Sequence, residues 1–136
     1  MTERQGLRRW RRACERWVSR LGLRDYTRTY ELTPEPPAEY KNSDEVNTWV
    51  ASCTTNTRYK YFKAIALLDY AREANDDDLD ETACHEIVHA VLDPIDDVLG
   101  EVIDALPKSA RRGFEAYRAA AIERTIAAVS TTVRGI

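Results

Sequence analysis

RYKYFKAIALLDYAREANDDDLDETACHEIVHAVL, residues 58–92, is the stretch on which the fold class turns. Its opening, residues 58–69, is rich in aromatic and β-branched side chains and reads as a strand. Asn75 and the aspartates after it read as a polar loop. From Leu79 the pattern is helical, with Ile87, Val88, Val91 and Leu92 as its apolar positions, and the helix is expected to end near Pro94. Upstream, residues 46–53 (VNTWVASC) read as a second strand, with Asn56 marking a turn. Residues 25–33 (DYTRTYELT) alternate, with Tyr26, Tyr30 and Leu32 on one side, until Pro34, Pro36 and Pro37 end the strand. Residues 3–21 form an amphipathic helix in which Leu7, Trp10, Cys14, Trp17, Val18 and Leu21 share one face, and Gly22 closes it. Downstream, a short helix runs to about Ala105, and Pro107 and Ser109 open a last long helix to about Val133. An N-terminal helix, a small three-stranded sheet and then helices make an α+β arrangement, expected as a single domain over 1–136.

Within the quoted stretch, residues 85–89 are His-Glu-Ile-Val-His. On a helix, positions i and i+4 lie one turn apart on the same face, so His85 and His89 can share one tetrahedral Zn2+. Glu86 sits beside them, placed to take a proton from a water that the metal activates. The alternative is a packed helix whose histidines are satisfied core residues. Against it, these are the chain's two histidines, and the apolar residues around them would make two unpartnered imidazoles costly.

A catalytic zinc usually has three protein ligands. The pattern with a downstream Gly and a third His is excluded, because Leu92 and Ile95 occupy those positions. Asp93 and Asp96 read as a helix end and a solvated turn. Glu101, Glu115 and Glu123 remain. In the last helix Ile122, Ile126, Val129 and Val133 define an apolar stripe. Glu115 falls near its centre and Glu123 on its flank, about 100° around, and either could reach a metal. Tyr117 and Arg118 are candidates to stabilise an oxyanion, and Cys84 reads as a small packed residue.

Taken together, these segments resemble the small stand-alone metallopeptidases of phage and prophage genomes, described as minimal gluzincins within the zincin-like proteins. The matching residues are Leu23-Arg24-Asp25-Tyr26 before the first strand, the later strand running through an acidic segment into His85–His89, and Glu123-Arg124-Thr125-Ile126 in the last helix. The resemblance implies a zincin-like fold, a Zn2+ cofactor, hydrolysis of a peptide or protein substrate, and Glu123 as third ligand. In many members the residue before that glutamate is also acidic; here it is Ile122. The resemblance also implies that the strand at Ala64–Leu68 is the sheet edge beside the site, where an extended substrate adds as a further strand.

Composition sets the remaining bounds. The 136 residues, 43% hydrophobic and 32% charged, carry a net charge of −3. Residues 1–24 hold eight arginines, whereas residues 76–104 hold eleven acidic residues and no Lys or Arg. The first block suggests a rival reading as a nucleic-acid or partner-binding module, with Trp10 and Trp17 stacking on bases. Their place on the apolar stripe favours a core role instead, so nucleic acid is not expected as a partner. A third reading is an inactive zincin with a structural zinc, against which Glu86 stands. Three widely spaced cysteines fit a reducing compartment. With no signal-peptide or membrane-spanning stretch, a cytoplasmic location is expected, the host cell's if the protein is phage-encoded. The acidic block suggests a preference for basic substrate segments. Substrate identity and oligomeric state are left open.

Overall fold

The computed structural model describes residues 1–44 and 46–135. Its elements are α1 (Glu3–Arg20), β1 (Thr27–Thr33), a 3-10 turn (Ala38–Tyr40), β2 (Ala51–Asn56), β3 (Tyr61–Leu67), α2 (Leu68–Glu73), α3 (Asp76–Asp104) and α4 (Lys108–Arg134). The fold is α+β, with four helices and a small mixed sheet.

Helix α1 forms where its period requires. Thr2 and Gln5 make a reciprocal capping box at its start. At its end Gly22 takes φ 77, and the Leu23 N–H donates to the Val18 carbonyl at 3.0 Å, closing the helix with a left-handed cap. Trp10, Cys14, Trp17 and Val18 are buried between α1, the sheet and α3. The Trp10 indole donates to the Ala64 carbonyl of β3 (3.1 Å), and that of Trp17 to Asp80 of α3 (3.0 Å). Both rings are at most 1% exposed, so neither presents a face to a base. Several N-terminal arginines find partners inside the fold. Arg9 donates to the Ala71 and Ala74 carbonyls at the end of α2 and to Asp76, and Arg16 lies 3.5 Å from Asp80.

The sheet order is β1-β3-β2, with β1 parallel and β2 antiparallel to β3. Phe62, Ala64 and Ala66 face the core from β3. This overturns the placement of residues 64–68 at the sheet edge: β3 is hydrogen-bonded on both sides, so it has no free ladder to offer a substrate. The edges are β1 and β2. The strand expected at 58–69 is also shorter. Lys60, at φ 49 and paired with Asp25 at 2.8 Å, turns the chain before β3, and Leu68 onward winds into α2, whose Ala71 packs into the core. The strand expected at 46–53 lies later, at 51–56, because Trp49 packs its ring on Tyr40 (5.6 Å between centroids) instead of joining the ladder. Asn56 does turn the chain, its side-chain oxygen accepting from the Tyr59 N–H.

The polar loop expected after Asn75 is the first turn of α3. Asn75 is its N-cap, accepting from the Asp78 N–H at 2.8 Å, and Asp76–Asp78 lie where the helix dipole favours negative charge. Asn75→Ala is expected to destabilise the fold by about 1 kcal/mol, seen as a lower urea midpoint at unchanged m-value; an unchanged midpoint would show that the cap carries no energy here.

The helix break expected at Pro94 is absent: α3 runs unbroken to Asp104 with Pro94 inside. Proline costs a helix interior roughly 3 kcal/mol. Packing against antiparallel α4 on both sides of Pro94 offsets it. On one side Cys84 lies 3.9 Å from the Ser130 carbonyl; on the other Arg118 donates to the Asp96 carboxylate at 2.7 Å and to its carbonyl. Asp93 and Asp96 are therefore helical residues. Among the described residues no helix is long and apolar enough to cross a membrane.

Candidate metal centre

α3 is anchored in the core it shares with α1 by Ala83, Ile87 and Val88 and against α4 by Cys84, all fully buried. That fixes the rotation of the helix and leaves His85, Glu86 and His89 facing α4 and β2. The imidazoles lie one turn apart, with ring centroids 5.2 Å from each other. Across from them α4 is held by Ile126, fully buried, and by half-buried Ile122. This phase brings the carboxylate of Glu123 between the rings, with Oε2 3.6 Å from His85 Nε2 and Oε1 3.4 Å from His89 Nε2.

These separations are too long for N–H···O hydrogen bonds, which close at about 2.7–3.2 Å. They match the distance between neighbouring ligand atoms on a tetrahedron with metal–ligand bonds of about 2.1 Å, which is roughly 3.4 Å. The two contacts are made by different oxygens of Glu123, so its carboxylate faces both imidazoles and completes with them a donor set that a divalent metal ion can take. One ligand atom each of His85, Glu86 and His89 also falls within 4.8 Å of the others, so distance alone does not bar Glu86 from coordination. Its surroundings separate it from the other carboxylate. Glu86 is 8% exposed, whereas the Glu123 side chain is 59% exposed.

In the metal-free protein, burial pushes the Glu86 carboxyl up to about 8, and the Glu123 charge adds to this; the backbone amide of Cys53 offsets part of it. Burial also holds His89 below its ordinary value, against the pull of Glu123, with His85 adding to the depression. Both effects act in a direction useful to a metal site: neutral imidazole is the ligating form, and a carboxyl raised toward neutrality can exchange a proton at physiological pH.

Strand β2 supplies the remaining wall. The Leu67 N–H donates to the Val50 carbonyl (2.8 Å), so residues 50, 52, 54 and 56 point their backbone groups at β3. Ala51, Cys53 and Thr55 point theirs outward, and the Cys53 amide meets Glu86. A cleft of about 480 Å³ runs along this edge, lined among others by Tyr40, Trp49, Ala51 and the four site residues.

The other sequence candidates lie elsewhere. Glu115 is engaged by Arg118 at 3.2 Å, and Glu101 and Arg118 line a separate hollow beside Lys60. Tyr117 is 68% exposed and, like Arg118, does not line the cleft. Cys84 is buried against α4, and all three cysteines are free thiols. Tyr40, Trp49 and the β2 edge were not singled out as site residues from the sequence. The only available signal was an aromatic pair just upstream of a strand, which marks a core as often as a cleft. No protein-family model, curated protein or solved structure matches this chain.

Proposed function

We propose that this protein is a zinc-dependent peptide hydrolase of the zincin-like type, held as a minimal gluzincin by His85, His89 and Glu123. The observation that carries this reading is the Glu123 carboxylate set between the two imidazoles, one oxygen 3.6 Å from His85 Nε2 and the other 3.4 Å from His89 Nε2. Bound zinc supplies Lewis acidity toward a peptide carbonyl and toward water. Glu86 acts as general base, taking a proton from the attacking water and returning it to the departing amine. The Cys53 N–H keeps that carboxylate aimed at the cleft. Ala51, with its N–H and C=O facing outward on an edge strand, can pair with an extended peptide laid along β2. The site opens into a cleft beside this edge, which favours turnover over a purely structural metal, whose coordination is ordinarily closed by the protein.

The direct test is elemental analysis of chelator-free protein beside His89→Ala. The expected result is close to one zinc per chain, lost in the variant. If the wild-type protein neither carries zinc nor takes it up on addition, the metal reading is wrong and hydrolysis goes with it.

A further inference from the structure

The buried stripe of α3 that packs under α1 does not stop where its cover stops. Beyond Ala90 it continues as Val91, Ile95, Val98 and Val102, with Leu99 beside them, 37–59% exposed. The alternating four-three-four spacing of the first four is that of a helix–helix seam. On α4, Phe114 and Tyr117 (53% and 68% exposed) begin a second seam that continues through Ala121, Thr125 and Ala128. The two seams lie on the same side of the hairpin. The α3 seam is turned about 140° from the residues that meet α4 (His85, His89, Asp96 and Gly100), and the α4 seam about 120° from that helix's inward row of Arg118, Ile122, Ile126 and Ser130, at 3.6 residues per turn. Because the helices are antiparallel, these rotations bring both seams to one face. The opposite flank holds Glu123, and Asp97, which accepts from Thr57 at 2.6 Å. The apolar face is therefore remote from the cleft.

We infer that a second copy of this chain covers this face, the two hairpins forming a four-helix bundle about a two-fold axis. The seven large side chains leave on the order of 700 Å² exposed per copy, so two faces bring roughly 1,400 Å² together, the size of a specific interface and more than a monomer usually leaves open. None of the seven is charged, as at the centre of a protein interface. Two adjacent antiparallel helices, each offering a seam on one side, make half of a bundle, and an identical half completes it with closed symmetry. A lipid surface fits less well. Interfacial helices carry Lys and Arg around their apolar face; here Arg124 flanks the α4 seam, but this part of α3 carries Asp93, Asp96, Asp97, Glu101 and Asp104, which repel anionic lipid.

The inference rests on the hairpin surface alone and does not depend on the metal reading. Its test is sedimentation equilibrium of the full chain, with and without zinc, over a series from low to high micromolar. A mass of two chains is expected in both conditions. Val98→Glu and Phe114→Glu are each expected to weaken the dimer at least tenfold while keeping the wild-type far-UV circular dichroism and zinc content. A chain that stays monomeric across the series overturns the proposal. So does a dimer indifferent to both substitutions, or a chain that remains monomeric and binds anionic phospholipid vesicles through this face.

Discussion

Glu86→Gln is expected to keep its zinc and lose hydrolysis by two to four orders of magnitude, the range that a positioned general base ordinarily contributes. The substitution preserves shape in a side chain that is 8% exposed, so the cleft should not collapse. It removes the one capacity the mechanism needs, since an amide oxygen does not hold a proton between water and a leaving amine. Zinc should stay, because the proposed ligands are two imidazoles and the Glu123 carboxylate. A fluorogenic peptide pool read beside metal content separates the two effects, and hydrolysis that survives in the zinc-loaded variant removes Glu86 from the mechanism. The metal-free protein offers a readout independent of activity. There the folded state holds the Glu86 proton up to about 8, whereas the unfolded chain releases it near 4.5. The folded state thus binds more protons between those values, and stability falls as pH rises through that window. Glu86→Gln removes this contribution, so the chelated variant should gain stability relative to chelated wild type as pH rises from 5 toward 8.

The elements that could be read from the sequence are those fixed by local period. Trp10, Cys14 and Trp17 recur at three- and four-residue spacing, and α1 forms there with that face buried. His85 and His89 are one turn apart because any helix through them makes them so. What the sequence hid depends on partners distant in the chain. Strand order is one case. The alternation of Phe62, Ala64 and Ala66 marks a half-buried strand equally well at an edge or in the centre. Only pairing with both Thr27–Thr33 and Ala51–Asn56 makes β3 central and gives the cleft edge to β2. Pro94 is another. Taken locally it ends a helix, yet α4 grips α3 on both sides of it, through Ser130 and through Arg118. Asn75 misled for a third reason: a side chain that hydrogen-bonds its own backbone signals a turn and a helix cap alike. Tyr40 and Trp49 reach the cleft through an irregular segment with no period to read.

Glu123 and Glu115 could not be separated by helical phase within α4, because what decides between them is how α4 crosses α3. That crossing sets the last large effect. Glu123→Ala is expected to weaken zinc binding more than a hundredfold in competition with a chromophoric chelator. Loss of an outer partner that merely orients a ligand typically costs 10–100-fold, and the loss of a ligand itself should exceed that. Little of the effect should come through unfolding, since the Glu123 side chain is 59% exposed and surface substitutions of this kind usually stay within about 0.5 kcal/mol. Glu115→Ala removes a half-exposed partner of Arg118 and leaves Asp96 to hold that guanidinium at 2.7 Å, so zinc affinity should not move. Glu123→Asp should fall between wild type and alanine. It keeps the charge, but its chain is one methylene shorter and its oxygens cannot span the 3.4 and 3.6 Å separations to both imidazoles from the same backbone position. The reverse ranking, with Glu115→Ala impaired and Glu123→Ala unaffected, would mean that the metal sits toward the hairpin tip and that the Glu123 spacing reflects only the attraction of a carboxylate for two histidines.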